Sequence, residues 1–172
     1  TAPLRFDGCR VPVANLVGEE HQGFKTFMHN FNSERLFMSA QAYSFAQVCL
    51  DEALAWARQR QTFGAPLSER QVIRHKLVDM ALKIDAARSL VHELAYRIQH
   101  RLADPQQLVA RIAMAKVLST QAMQHCADQA VQILGGMGFM RGTRSERLYR
   151  EVKVMMIGGG SEEIMKDLAA RQ

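Results

Sequence analysis

The sequence predicts an all-α fold: an antiparallel bundle of three long helices plus a short C-terminal helix pair, preceded by an extended segment. Apolar residues recur at helical spacing through three long stretches. Short connections marked by Gly and Pro separate them, so neighbouring helices must pack antiparallel. No strand–helix–strand alternation surrounds any glycine cluster, which excludes a dinucleotide-binding α/β fold.

Residues 4–17 alternate weakly and include Pro12, which suits one extended segment or unpaired strand. From Gly23 the period becomes helical: Phe24, Phe27, Met28 and Phe31 fall at i, i+3, i+4 and i+7. The stripe resumes with Met38, Ala42, Phe45, Cys49, Ala53 and Trp56 until Gly64 and Pro66 stop it. Ser68 followed by Gln71 reads as a capping box for a second helix, whose apolar face runs from Val72 to Ile98. Asp104-Pro105 supplies an N-cap and first-turn proline for a third, carried by Ile112, Val117, Thr120, Ala127 and Val131 to Gly135-Gly136. A shorter helix fits 144–157, and Ser161 caps a last one over 162–171.

With 172 residues and 48% apolar composition, the chain can bury a core of ordinary size. The net charge of +5 suits an anionic small ligand such as a nucleotide or a coenzyme A ester. No basic run with interleaved aromatics marks a nucleic-acid partner. Cys9, Cys49 and Cys126 are odd in number and lack CxxC spacing, which predicts buried, reduced thiols in a cytoplasmic setting. The six His form no HxxxH or HExxH pair, so no metal site is expected, and no apolar run approaches the ~18 residues of a membrane span.

Four stretches have the residue types for chemistry. Glu34 lies three residues after Phe31 and four before Met38, on or beside the apolar stripe, where a carboxylate gains basicity as its charged form is disfavoured. The same spacing also allows it to turn outward or pair with an arginine. "RQTFG" at 60–64 and "ERQ" at 69–71 place cationic side chains at helix ends, where an anion can settle. "QILGGMGF" at 132–139 lets backbone approach something flat or charged, without the GxGxxG fingerprint. "IGGGSE" at 157–162 leads peptide N–H groups into a helix start. Each of the last three also reads as a plain loop or glycine helix stop.

In this order, "FxxxxxVPxxNLVGEExxGF", "RxTFG", "QxLGGxGF" and "IGGGSEEI" resemble the C-terminal part of the acyl-CoA dehydrogenase family over essentially the whole chain. The resemblance implies that residues 1–20 are the end of a middle β domain and its linker, and that 21–172 are the C-terminal helical bundle. It implies FAD, an acyl-CoA substrate oxidised to the 2,3-enoyl-CoA, an electron-transferring flavoprotein as acceptor, and a homotetramer or homodimer in which FAD also touches a neighbouring subunit. Arg60, Gln61, Thr62, Arg70 and Gln71 fall at flavin-nucleotide contacts. Gln132, Ile133, Leu134, Gly135 and Gly136 fall at the adenosine side, and Ser161 and Glu163 near the flavin. Asn32, Ser33, Glu34, Arg35 and Gly160 fall beside the acyl-CoA. Localisation is expected to be cytoplasmic in a bacterium or the mitochondrial matrix in a eukaryote.

Many family members carry a glutamate base at the second position of the last loop, preceded by an aromatic; here those positions are Gly159 and Gly158. A minority pattern places the base on the first long helix in an "ERL" context, matched by "NSERLF", which points to Glu34 as the catalytic base. Glu162 and Glu163 are the nearby alternatives. Loss of bulk at 158 and 159 is expected to widen the acyl pocket. Two other functions are compatible with the same fold: an acyl-CoA oxidase-type relative, and a catalytically silent oligomerisation module. The 172-residue chain by itself is expected to turn over no substrate.

Overall fold

The computed structural model describes residues 2–102 and 104–172. Helices α1 (Gly23–Gln59), α2 (Gln71–Gln99) and α3 (Pro105–Leu134) are long; α4 (Gly136–Phe139), α5 (Arg144–Ile157) and α6 (Glu162–Ala170) are short. The chain divides into two compact units, residues 1–31 and 32–172. In the first, the extended segment forms no strand; a 3₁₀ turn at Val13–Asn15 interrupts it. Its weak alternation has no partner strand among the described residues to satisfy its backbone groups, Leu4, Phe6 and Val11 are exposed, and so is Cys9, whose thiol is therefore not buried as expected. Phe24 and Phe27 of the first apolar stripe are exposed as well.

The second unit is the bundle. Among the described residues of α1 the buried ones are Arg35, Ser39, Ala42, Ala46, Cys49, Ala53 and Ala57, spaced by three or four. Almost all are small, so the facing helices approach closely and send in the bulk: Met80 and Ile84 from α2, Met123 from α3, Leu148 and Val152 from α5. Filling a position such as Ala46 with leucine would overpack the seam at about 1–3 kcal/mol. A second cluster joins Val91 and Leu94 of α2 to Ile112 and Ala115 of α3, with Leu36, Ala40 and Tyr43 of α1 against it.

Helix starts follow local chemistry where a side chain is free to cap. Asp104 accepts from the N–H groups of Gln106 and Gln107 at 2.7 and 3.4 Å, and Thr143 accepts from Glu146 N–H at 3.2 Å. Glu52 of α1 adds a second cap to α5, accepting from the N–H groups of Arg144 and Ser145 and from the Ser145 hydroxyl at 2.6–3.0 Å. Burial works to raise the Glu52 carboxyl, but those bonds outweigh it and hold it below the usual range.

The expected Ser68–Gln71 capping box does not form. Leu67–Glu69 is a 3₁₀ turn, and α2 starts at Gln71 with Arg70 as an N-cap that offers no side-chain acceptor. The α1–α2 connection is a small hairpin, β1 (Gln61–Thr62) against β2 (Ala65–Pro66), turning through Phe63 and Gly64. Both turn residues have positive φ, 50° and 78°, as a type I′ turn demands. No helix among the described residues is long and apolar enough to cross a membrane.

Candidate active site

Between α5 and α6 the chain turns through Gly158, Gly159, Gly160 and Ser161. Gly159 and Gly160 have φ of 70° and 122°, a region L side chains rarely enter. Two buried cations hold the turn. Arg35 of α1, 6% exposed, donates from Nε to the Gly159 carbonyl at 2.9 Å and from Nη1 to Asn32 Oδ1 at 3.4 Å. Lys116 of α3 has no exposed surface and donates from Nζ to the carbonyls of Met156 at 2.8 Å and Gly160 at 2.5 Å. Burial, with the Arg35 guanidinium adding to it, pushes the Lys116 ammonium down to about 8; burial also lowers Arg35 from its ordinary value.

The space freed by glycine is not simply open. A Cβ on Gly159 would lie 3.0 Å from Met38 Sδ, and one on Gly158 would lie 3.5 Å from Met38 Cε. Met38 therefore takes up part of the room expected to widen an acyl pocket.

Glu34 lies one helical turn before Met38, next to Arg35. It is exposed, and Arg35 takes the inward position. The buried face of α1 is set by the small-residue row from Arg35 to Ala57; Glu34 is rotated about 100° from that row. Phe24 and Phe27, from the stripe that suggested an apolar setting for Glu34, are exposed. The two alternative carboxylates are already engaged. Glu162 accepts from Lys166 at 2.6 Å and Gln121 at 2.7 Å, and the Lys166 bond foremost holds it below the usual range. Glu163 is lowered by its own N–H and then by Ser161. Ser161 caps α6, accepting from Ile164 N–H at 3.5 Å.

At the far end of α1, two separated motifs converge. Arg60 and Thr62 line a cleft of about 590 Å³ together with Ile133, Leu134, Gly135 and Gly136. Trp56, Leu67, Met137 and Met140 complete its wall. A Cβ on Gly135 or Gly136 would meet no atom within 4 Å. Gly135 needs its freedom for φ of 61°, whereas Gly136 has neither positive φ nor a crowding neighbour. Gly138, by contrast, is glycine for packing: a Cβ there would lie 2.5 Å from the Val131 carbonyl. Ile133 and Leu134 belong to the core, so they offer the cleft a floor. Gln61, Gln71 and Gln132 are exposed. Arg70 does not line the cleft; it donates to the Thr62 carbonyl at 2.6 Å and the Phe63 carbonyl at 3.3 Å, bracing the hairpin that presents Arg60 and Thr62.

Asn32 and Ser33 line a separate, largely apolar groove of about 510 Å³ with Leu36, Phe37, Tyr43 and His92. Among the described residues no group of three or more His, Cys, Asp or Glu side chains could hold a metal ion. Sequence reasoning missed Lys116 and the wall residues Met137 and Met140. The signal for Lys116 was present: it lies four residues after Ile112 and four before Thr120, inside an apolar stripe.

These features define a helical bundle domain with an exposed glycine-and-arginine cleft at one end and a cation-clamped glycine turn at the other. The family model described as acyl-CoA dehydrogenase, C-terminal domain, matches residues 21–172, and the chain belongs to that family. It is 38% identical over 172 residues to the probable acyl-CoA dehydrogenase YngJ of Bacillus subtilis, covering 100% of this chain and 44% of that protein. It is 38% identical over 166 residues to the mitochondrial short-chain specific acyl-CoA dehydrogenase of Homo sapiens, covering 96% of this chain and 39% of that one. A crystal structure of a probable acyl-CoA dehydrogenase from Mycobacterium abscessus superposes with a TM-score of 0.88 at 44% identity, over 94% of this chain and 42% of that one. The chain thus spans less than half the length of these relatives.

Proposed function

We propose that this chain is the C-terminal domain of an FAD-dependent acyl-CoA dehydrogenase that oxidises an acyl-CoA thioester to the 2,3-enoyl-CoA, with residues 1–20 the end of a preceding β domain. Family membership supports the reaction class. The observation that carries the site assignment is the neighbourhood of Glu34: it shares a face of α1 with Met38, and Met38 packs over Gly158 and Gly159, where many relatives carry an aromatic residue and the base. A glutamate moved onto the helix thus stands beside the position it vacates.

The chain's own residues divide the work. The Glu34 carboxylate takes the proton from the substrate α carbon. The N–H groups of Gly158 and Gly160 are bonded to Val154 and Ile157 carbonyls, whereas the Gly159 N–H has no acceptor among the described residues. It is available to the thioester oxygen, where negative charge gathers as the α proton leaves. Asn32, Ser33 and Gly160 stand at the substrate side, and Arg35 contributes through the turn it clamps. FAD, when bound, supplies the acceptor for the β hydride. Open glycine backbone beside Arg60 and Thr62 fits the anionic nucleotide half of such a cofactor, and Ser161 with Glu163 stands near its flavin half.

Glu34 and the Arg60 cleft cannot both serve one bound cofactor within one chain. Helical rise puts Glu34 about 38 Å from the end of the helix at Gln59. The cleft of one subunit therefore serves the active site of another, and the protein is a homodimer or homotetramer. An electron-transferring flavoprotein is the proposed acceptor of the electrons.

Anaerobic addition of a panel of acyl-CoAs to the complete flavoprotein tests the function. At least one acyl-CoA should bleach the flavin with formation of its enoyl-CoA, and electron-transferring flavoprotein should restore the colour. If none bleaches a fully flavin-loaded protein, the proposed activity is wrong.

A further inference from the structure

We propose that Lys116 is a positioning residue of the active site, fixing the shape of the glycine turn from inside the bundle and with it the stance of the Gly159 peptide. This rests on the functional reading above, but its first test does not require turnover.

The turn cannot fix itself. Positions 158–160 carry no side chain, and the glycines at 159 and 160 occupy conformations that widen the choice of backbone shapes. What holds them comes from α1 and α3. Arg35 takes the Gly159 carbonyl, and Lys116 takes the carbonyls of Met156 and Gly160, on either side of the bend. The peptides that follow Met156, Gly159 and Gly160 are thereby pinned through their oxygens. Between them lies the peptide whose N–H belongs to Gly159. Neither cation bonds its carbonyl, and its N–H has no acceptor among the described residues. The clamp thus leaves one peptide free for a ligand and fixes the peptides around it.

Lys116 is poorly explained as a stabiliser alone. An ammonium with no exposed surface, bonded to neutral carbonyls and near the cationic Arg35, carries a heavy desolvation penalty. A methionine would fill the same shape without it. A simple cap on the C-terminal end of α5 would need only the Met156 carbonyl; the second bond, to Gly160, reaches past the helix into the turn.

The test compares the FAD-loaded complete protein with Lys116→Met, and with Lys116→Gln, which keeps an N–H donor. Hydrogen exchange of the 158–161 amides should speed up at least tenfold in Lys116→Met while the thermal midpoint holds or rises. With a substrate that bleaches the unsubstituted protein, kcat should fall at least tenfold with acyl-CoA Kd shifting less than threefold. Lys116→Gln should recover part of both effects. Unchanged exchange at 158–161 would overturn the clamp. Faster exchange with unchanged kcat would overturn the positioning role and leave a helix cap. If no acyl-CoA bleaches the unsubstituted protein, the functional reading fails, and the exchange result still decides whether Lys116 holds the turn.

Discussion

Two sites along α1, one at Arg35 and one just past Gln59, use the same ingredients, arginine and glycine, for opposite purposes. At the turn, Arg35 is buried, its guanidinium holds backbone, and the glycines at 159 and 160 are demanded by φ of 70° and 122°. At the cleft, Arg60 is exposed, and Gly136 has no steric need to be glycine. A glycine required by its own fold is a structural part. A glycine with open space around it is an invitation to something outside the chain. Exposure and φ, which a motif string does not carry, separate the two.

The contrast can be broken in several ways. The largest effect is expected at Glu34, the proposed base. Glu34→Gln should slow flavin reduction by roughly 10²–10⁴-fold, the range for removing a general base, with acyl-CoA binding retained. Gly160→Ala should destabilise the fold by about 1–3 kcal/mol in denaturant unfolding, through the strained φ that an L side chain would have to adopt. Gly136→Ala should leave unfolding within about 1 kcal/mol of the parent, the usual helical difference or less, while weakening FAD binding. Equal destabilisation by the two alanines would erase the distinction. Arg60→Ala should weaken FAD by about tenfold or more, as loss of a charge-assisted bond does, and leave the thermal midpoint of the flavin-free protein unchanged.

A further effect is a pH dependence. Lys116 titrates near 8 in the folded state against an ordinary value of 10.5. Between those values the unfolded chain holds more protons on this group than the folded one, so stability rises with pH through that window. The penalty is fully present below pH 8 and relieved above it. Subtracting the unfolding curve of Lys116→Met isolates this term, because the Cys49 and Cys126 thiols, both pushed up to about 12 chiefly by burial, are common to both proteins. A flat difference between pH 7 and 10.5 would contradict the buried ammonium.

Much of the fold was legible because the signals were local. Asp104-Pro105, the 144–157 helix and the Ser161 cap all depend on a few adjacent residues, and each appears where expected. The capping box at Ser68 did not form because the chain first closes a hairpin braced by Arg70, a demand made by residues on both sides of the turn. Two-residue strands carry no period to detect. The convergence of Arg60 and Thr62 with Gly135 and Gly136 was visible only as shared membership in a resemblance; the chain's packing brings them to one cleft. Lys116 breaks the apolar pattern of α3 with a charge although it is buried with that pattern, so periodicity alone does not mark it.

On the proposed function, Glu34 and the Arg60 cleft of one chain belong to different active sites. Subunit mixing tests this. One complete protein would carry Glu34→Gln, the other Arg60→Glu with Gly136→Val, and each alone should be inactive. In mixed oligomers verified by native mass spectrometry, random pairing around a two-fold should restore roughly a quarter of the active sites. No recovery in demonstrably mixed oligomers would contradict a site assembled from two chains.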